Sequence, residues 1–148
     1  MWHRHIHRTY LPEVIYFVTT YVHSRMPVFR DADAAKICEA NMWNTFRIQH
    51  CVVYAYVLMP DHLHLLVRPG AKNISECMRS LKTNASRDIG QYLSSHNGGP
   101  GTSVMARSVE NAVQCSEKGF QWQSSFYDHI IRDDRDVGHG ETELRAGR

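Results

Sequence analysis

The sequence has 148 residues, 43% hydrophobic and 22% charged, with a formal net charge of +2, which excludes a mainly disordered or collagen-like chain and fits one soluble globular domain. No stretch approaches the roughly 18–20 apolar residues of a membrane span, and the opening MWHRHIHRTY has basic residues with no apolar run behind them, so neither a membrane partner nor a secretory signal is expected. Cys38, Cys51, Cys77 and Cys115 form no C-x-x-C pair, which argues against a zinc ribbon or redox motif and for a cytoplasmic protein with free thiols.

Residues 13–22, EVIYFVTTYV, are rich in β-branched and aromatic side chains and predict a strand. HSRMPVFRDAD follows as a loop, in which Asp31 or Asp33 can cap a helix running to about Arg47. Residues 51–58, CVVYAYVL, form a second strand, and MPDH is a short turn because Pro60 lacks a backbone donor and biases Met59 to an extended conformation. Residues 62–68, HLHLLVR, are a third strand, ended by Pro69-Gly70 and paired with the second as an antiparallel hairpin. Asn73 with Glu76 reads as a capping box opening a helix to about Leu93, whose stripe is Ile74, Met78, Leu81, Ala85, Ile89 and Tyr92. Residues 94–119, with SSHNGGPG, form a long loop, and residues 120–132 include a fourth strand. The order strand, helix, strand, strand, helix, strand is that of an α+β, ferredoxin-like (split βαβ) domain, an antiparallel sheet with both helices packed on one face. One domain over residues 1–137 is expected, with 138–148, GHGETELRAGR, a loose tail.

Charge is unevenly spread. Residues 68–87 carry net +4, residues 1–30 net +3 and residues 128–148 net −2, a pattern that permits a nucleic-acid partner without requiring one. The sharpest local feature is His62-Leu63-His64: on a strand both imidazoles face one side, where they can share a divalent cation. Histidine is frequent, 10 of 148 residues, and three H-x-H pairs occur, so spacing alone is a weak signal. Context separates them, because His3, His5 and His7 lie in a basic terminal arm whereas His62 and His64 sit inside an apolar strand.

At this point the segments resemble a known family. YVLMPDHLHLLV at 56–67 resembles the HUH motif of single-tyrosine transposases, in the REP-associated branch of the insertion-sequence-200-like family. YFVTTYVHSRMPVF at 16–29 is similar to that family's first strand and following loop, and WQSSFYDHIIRDDRDV at 122–137 to its late segment. The helix with SLKTNASRDIG at 80–90 sits where the family places its basic helix. The resemblance implies binding of single-stranded DNA hairpins, and Mg²⁺ or Mn²⁺ held by His62 and His64. It also implies strand cleavage and joining through a tyrosine that leaves a phosphotyrosine and a free 3′-OH. Asp61, expected to point to the opposite face from the histidines, is not read as a ligand, and the third ligand is unassigned.

The resemblance stops at a decisive place. The family continues into a helix that carries the nucleophilic tyrosine, whereas no tyrosine follows Tyr127 here and the tail reads like a frameshift or an early stop, so cleavage is expected to be impaired. Tyr127 and Tyr92 are the substitutes, with packing the better reading for Tyr127. Lys82, Arg87 and Arg132 are candidate phosphate contacts; Trp122, with Phe126 and Tyr127, is a candidate base-stacking residue weighed against a core position. A homodimer is a further expectation. Two other readings stay open: a non-catalytic RRM-like nucleic-acid-binding module, and a metal-dependent nuclease that activates water.

Overall fold

The computed structural model describes Leu11, residues 13–96 and residues 119–131. Within these residues lie β1 (Ile15–Tyr21), α1 (Ala32–Ile48), β2 (Val52–Met59), β3 (His62–Arg68), α2 (Ile74–His96) and β4 (Tyr127–Ile131). The four strands form one sheet in the order β2-β3-β1-β4, every neighbouring pair antiparallel. This is the predicted split βαβ arrangement. Arg132, the tail from 138 to 148 and most of the expected 94–119 loop lie outside the described residues.

Alternation along the strands divides the side chains between two faces. Tyr16, Val18 and Thr20 of β1 stand opposite Val67, Leu65 and Leu63 of β3. Their apolar members join Ala34, Cys38, Met42 and Phe46 of α1 and Ile74, Met78, Leu81, Ala85 and Ile89 of α2 in one core. Phe17, Thr19 and Tyr21 alternate with them and point to the other, open face, opposite Leu66, His64 and His62. On β4, Tyr127 is level with Thr19 and His129 with Phe17, so both belong to the open face.

The helix starts are built as the sequence predicts. Asp31 Oδ1 accepts the backbone N–H groups of Asp33 and Ala34 at 2.9 and 3.1 Å. Asn73 Oδ1 accepts Glu76 N–H at 3.0 Å while Glu76 Oε2 reaches Asn73 N–H at 3.4 Å, the reciprocal capping box. Pro60 and Asp61 alone connect β2 to β3, closing on the Met59–His62 pair. Cys38, Cys51 and Cys77 are free thiols.

Three segments are stitched together beside the open face. Val22 N–H donates to Asp61 O and Phe29 N–H to Pro60 O, both at 2.9 Å, tying the chain after β1 to the β2–β3 turn. His23 N–H donates to Gln121 O and Gln123 N–H to Tyr21 O, also at 2.9 Å, bringing in the late segment. The loop after β1 is not irregular throughout, since it folds into short 3₁₀ turns at His23–Arg25 and Val28–Arg30. The predicted fourth strand is confined to Tyr127–Ile131, because Phe120, Trp122 and Phe126 turn inward instead and are at most 7% exposed. Trp122 packs at 5.6 Å from the Phe29 ring and 5.4 Å from that of Phe120. Of the two readings weighed for Trp122, the core position is the one seen, its indole packed against other rings.

Gly70 marks a close backbone approach. A Cβ there would stand 2.1 Å from the His50 carbonyl oxygen, and Ala71 N–H already donates to Gln49 O at 2.9 Å. Gly70→Ala should therefore lower stability by about 1–3 kcal/mol, the usual range for forced overpacking. Urea denaturation measures this, and an unchanged midpoint would show that the 49–50 backbone yields freely.

Tyr92 donates its hydroxyl to both Asp31 carboxylate oxygens, at 3.0 and 3.2 Å, fastening the end of α2 to the cap of α1. Partial burial, together with that carboxylate, pushes the phenol up to about 12. The folded chain thus keeps this proton to higher pH than the unfolded chain, where tyrosine titrates near about 10. The resulting stabilisation is complete below about pH 10 and is lost as pH rises through about 12. Tyr92→Phe should lower stability by about 1 kcal/mol at neutral pH and flatten the alkaline decline. Parallel alkaline profiles for the two proteins would remove the assigned role.

Candidate functional site

Two imidazoles meet on the open face of β3. His62 Nε2 and His64 Nε2 lie 3.1 Å apart, with ring centroids 4.7 Å apart and planes nearly perpendicular. Each ring is held from behind by its other nitrogen. His64 Nδ1 is 2.8 Å from Thr19 Oγ1, and His62 Nδ1 is 2.6 Å from Asp61 Oδ1. The second Asp61 oxygen accepts Arg25 Nε–H at 2.6 Å. Aromatic rings wall the pair: Phe17 stacks at 5.4 Å from His64, and Tyr21 lies 5.1 Å from His62. Only 7% of His64 and of Thr19 is exposed.

One assignment of donors and acceptors satisfies these contacts. Thr19 O–H donates to His64 Nδ1, His64 Nε2–H to His62 Nε2, His62 Nδ1–H to Asp61, and Arg25 closes the row on the same carboxylate. Burial pushes the Asp61 carboxyl up, but the hydrogen bonds from Arg25 and His62 outweigh it and hold the group below the usual carboxylate range. The hydrogen bond to Asp61, opposed by burial, raises the Arg25 guanidinium above its ordinary value.

The pair fits part of a divalent-cation shell. Two adjacent donors of an octahedral ion, each about 2.1 Å from it, lie about 3.0 Å apart, and the observed nitrogen separation is 3.1 Å. Imidazoles held at Nδ1 by a carboxylate or hydroxyl are the usual support for such ligands. Freeing both Nε2 atoms needs only the proton on His64 to move to Nδ1, since the Thr19 hydroxyl can accept as well as donate. Among the described residues no group of three or more His, Cys, Asp or Glu side chains forms a fuller cage.

The other expected residues separate. Asp61 does not point away from the histidines. It sits in the turn, where strand alternation does not apply, and its carboxylate folds back onto His62. Tyr127 is not packed in the core, being 69% exposed on the histidine face with its ring edge-on to Tyr21 at 6.1 Å. Tyr92 is on the helix side, bound to Asp31, and is removed from the list of substitutes for the nucleophile. Lys82 Nζ donates to the Gln123 and Ser125 carbonyls. It lines a groove of about 610 Å³ with Arg79, Ser86 and the 120–126 segment. Five residues on, Arg87 is turned about 140° around the helix and pairs with Asp88 at 2.8 Å. The two cations read together from sequence thus do not share a face.

Sequence reasoning missed Thr19 and Arg25. Thr19 carried a signal, a polar residue inside an apolar strand of residues 15–21. Arg25 carried none, because Ser24 and Arg25 both adopt left-handed backbone with φ of 56°, which neither residue type announces. Such consecutive strain, about 1–3 kcal/mol per residue, persists only where surrounding contacts enforce it.

Residues 11–99 match the family model described as transposase IS200-like, more than half of the chain. The fold is similar to that of a REP-associated tyrosine transposase solved bound to a REP hairpin, with a TM-score of 0.67 and 16% identity over 98% of this chain and 75% of that one. It is also similar to a protein from Deinococcus radiodurans R1 assigned as a transposase, with a TM-score of 0.58 and 15% identity over 95% of each chain. No curated protein sequence matches. The family match takes in both helices and three of the four strands, the histidine strand among them, and the chain belongs to the IS200-like transposase family.

Proposed function

We propose that this chain binds single-stranded DNA hairpins across the open sheet face and holds a divalent cation, Mn²⁺ or Mg²⁺, at His62 and His64, as HUH-type tyrosine transposases do. The observation that carries the reading is the pair of Nε2 atoms 3.1 Å apart, each ring braced at Nδ1. A fold neighbour whose structure contains a REP hairpin supports the choice of DNA. The bound cation would polarise a phosphodiester and stabilise charge growing on its oxygens.

The protein's own part is positioning. Thr19 and Asp61 fix the ring orientations, and Phe17 keeps water from the inner side of His64. Arg79 and Lys82, which line the α2 groove, supply backbone contacts of the kind that give salt-dependent affinity. Arg87, on another face of α2, reaches only nucleic acid that wraps around that helix.

Tyr127 is poorly placed to serve as the attacking group. Tyr127, 69% exposed, is a tyrosine of the histidine face among the described residues. Thr19 stands between Tyr127 and His64 in register, so their backbones are two strand spacings apart, about 10 Å. A phenol on a strand at that remove is not an oriented attacking group, and orientation is worth about 7–11 kcal/mol in well-placed systems.

Two measurements test this. Titration with Mn²⁺ should show weak, saturable binding that is lost in the His62→Ala, His64→Ala double variant, whereas equal binding by both proteins removes the cation site. Incubation with a labelled single-stranded hairpin and Mn²⁺ should give retention on native gels and little protein-linked DNA on denaturing gels. A strong covalent band abolished by Tyr127→Phe would overturn the impaired reading and make Tyr127 the nucleophile. Strand cleavage without a covalent band would favour a water-activating nuclease, and cation-independent binding alone an RRM-like module.

A further inference from the structure

We infer that Arg25 grips a phosphate group of the DNA strand lying over the histidine pair, an inference that rests on the transposase reading above. A guanidinium carries five N–H donors in a planar fork suited to phosphate oxygens. Arg25 spends Nε–H on Asp61 Oδ2 at 2.6 Å, and its guanidinium carbon lies 4.1 Å from the centre of the Tyr21 ring. Among the described residues no protein acceptor engages its two terminal nitrogens, and the side chain is 55% exposed. The planar head is therefore fixed by one ion pair and one aromatic face, with its remaining donors turned to solvent.

Its placement is tied to the cation site. The Asp61 carboxylate that holds Arg25 also holds His62 Nδ1, so the guanidinium is one side chain removed from a cation ligand. An anionic carboxylate so near a phosphodiester repels it, and Arg25 offsets that charge while adding donors of its own. The left-handed backbone at Ser24 and Arg25 is what sends the side chain back over Tyr21 toward the turn. A lysine at this position keeps the charge but neither the fork nor the flat stacking surface.

The rival role is that Arg25 only braces Asp61 and, through it, His62. Arg25→Ala and Arg25→Lys are compared with the parent protein for binding of a single-stranded DNA hairpin at several salt concentrations, and for binding of Mn²⁺ without DNA. Loss of one phosphate contact should weaken hairpin binding roughly tenfold and reduce the salt slope by about 0.7 in Arg25→Ala. Arg25→Lys should restore the slope but only part of the affinity, and in both variants any fall in Mn²⁺ affinity without DNA should be smaller than the fall in hairpin affinity. An unchanged salt slope in Arg25→Ala overturns the inference while leaving the transposase reading intact. So does a fall in Mn²⁺ affinity that matches the loss of DNA binding, because it assigns Arg25 to the brace. If the parent protein itself shows no salt-dependent hairpin binding, the transposase reading falls and the inference with it.

Discussion

The pairing of β1 with β3 sets the terms for everything else in this molecule. These are the two central strands, and their register puts Val18 beside Leu65 under the helices while it puts Thr19 beside His64 on the other side. A slip of one residue would reverse every side chain on one strand, driving imidazoles toward Met78 and Leu81 and leucines toward solvent. The apolar face therefore enforces the polar one. Core packing chooses the register, and the register delivers the Thr19 hydroxyl to His64 Nδ1 at 2.8 Å.

Burying this much polarity is tolerable only because the polar groups are connected. Thr19, His64, His62, Asp61 and Arg25 form a continuous row of hydrogen bonds from a buried strand to the solvent edge. A buried polar group without a partner costs about 1–3 kcal/mol, so removing a member from the middle of the row is more damaging than removing its exposed end. The row also explains why the β2–β3 turn is tied to the loop after β1. Backbone bonds from Val22 and Phe29 to Asp61 and Pro60 hold the turn in place, and with it the carboxylate on which both His62 and Arg25 depend.

The two sides of the sheet divide the work. The helix side carries Tyr92 on Asp31, the capping box at Asn73, and the packed rings of Phe29, Phe120 and Trp122, all of which serve stability. The open side carries the histidines, Tyr21, Tyr127 and Arg25. A split βαβ sheet hosts many unrelated activities, and the fold alone does not distinguish them. What distinguishes this one is a pair of braced imidazoles on a central strand.

The sequence by itself determined the element order, both helix caps, the β2–β3 hairpin and the placement of His62 and His64 on one face. All of these are local: periods of two and 3.6 residues, a capping side chain two or three positions away, a proline without a donor. The family resemblance at residues 56–67 was legible for the same reason, since it is contiguous. Only the tertiary structure decided that Asp61 turns back to His62, that Arg25 reaches Asp61, that Trp122 is covered by Phe29 and that Tyr92 belongs to the α1 cap. Alternation fails at Asp61 because a turn has no period. The others join segments far apart in the chain, and their meeting is set by strand register, helix packing and a left-handed turn at Ser24-Arg25 rather than by anything adjacent residues encode.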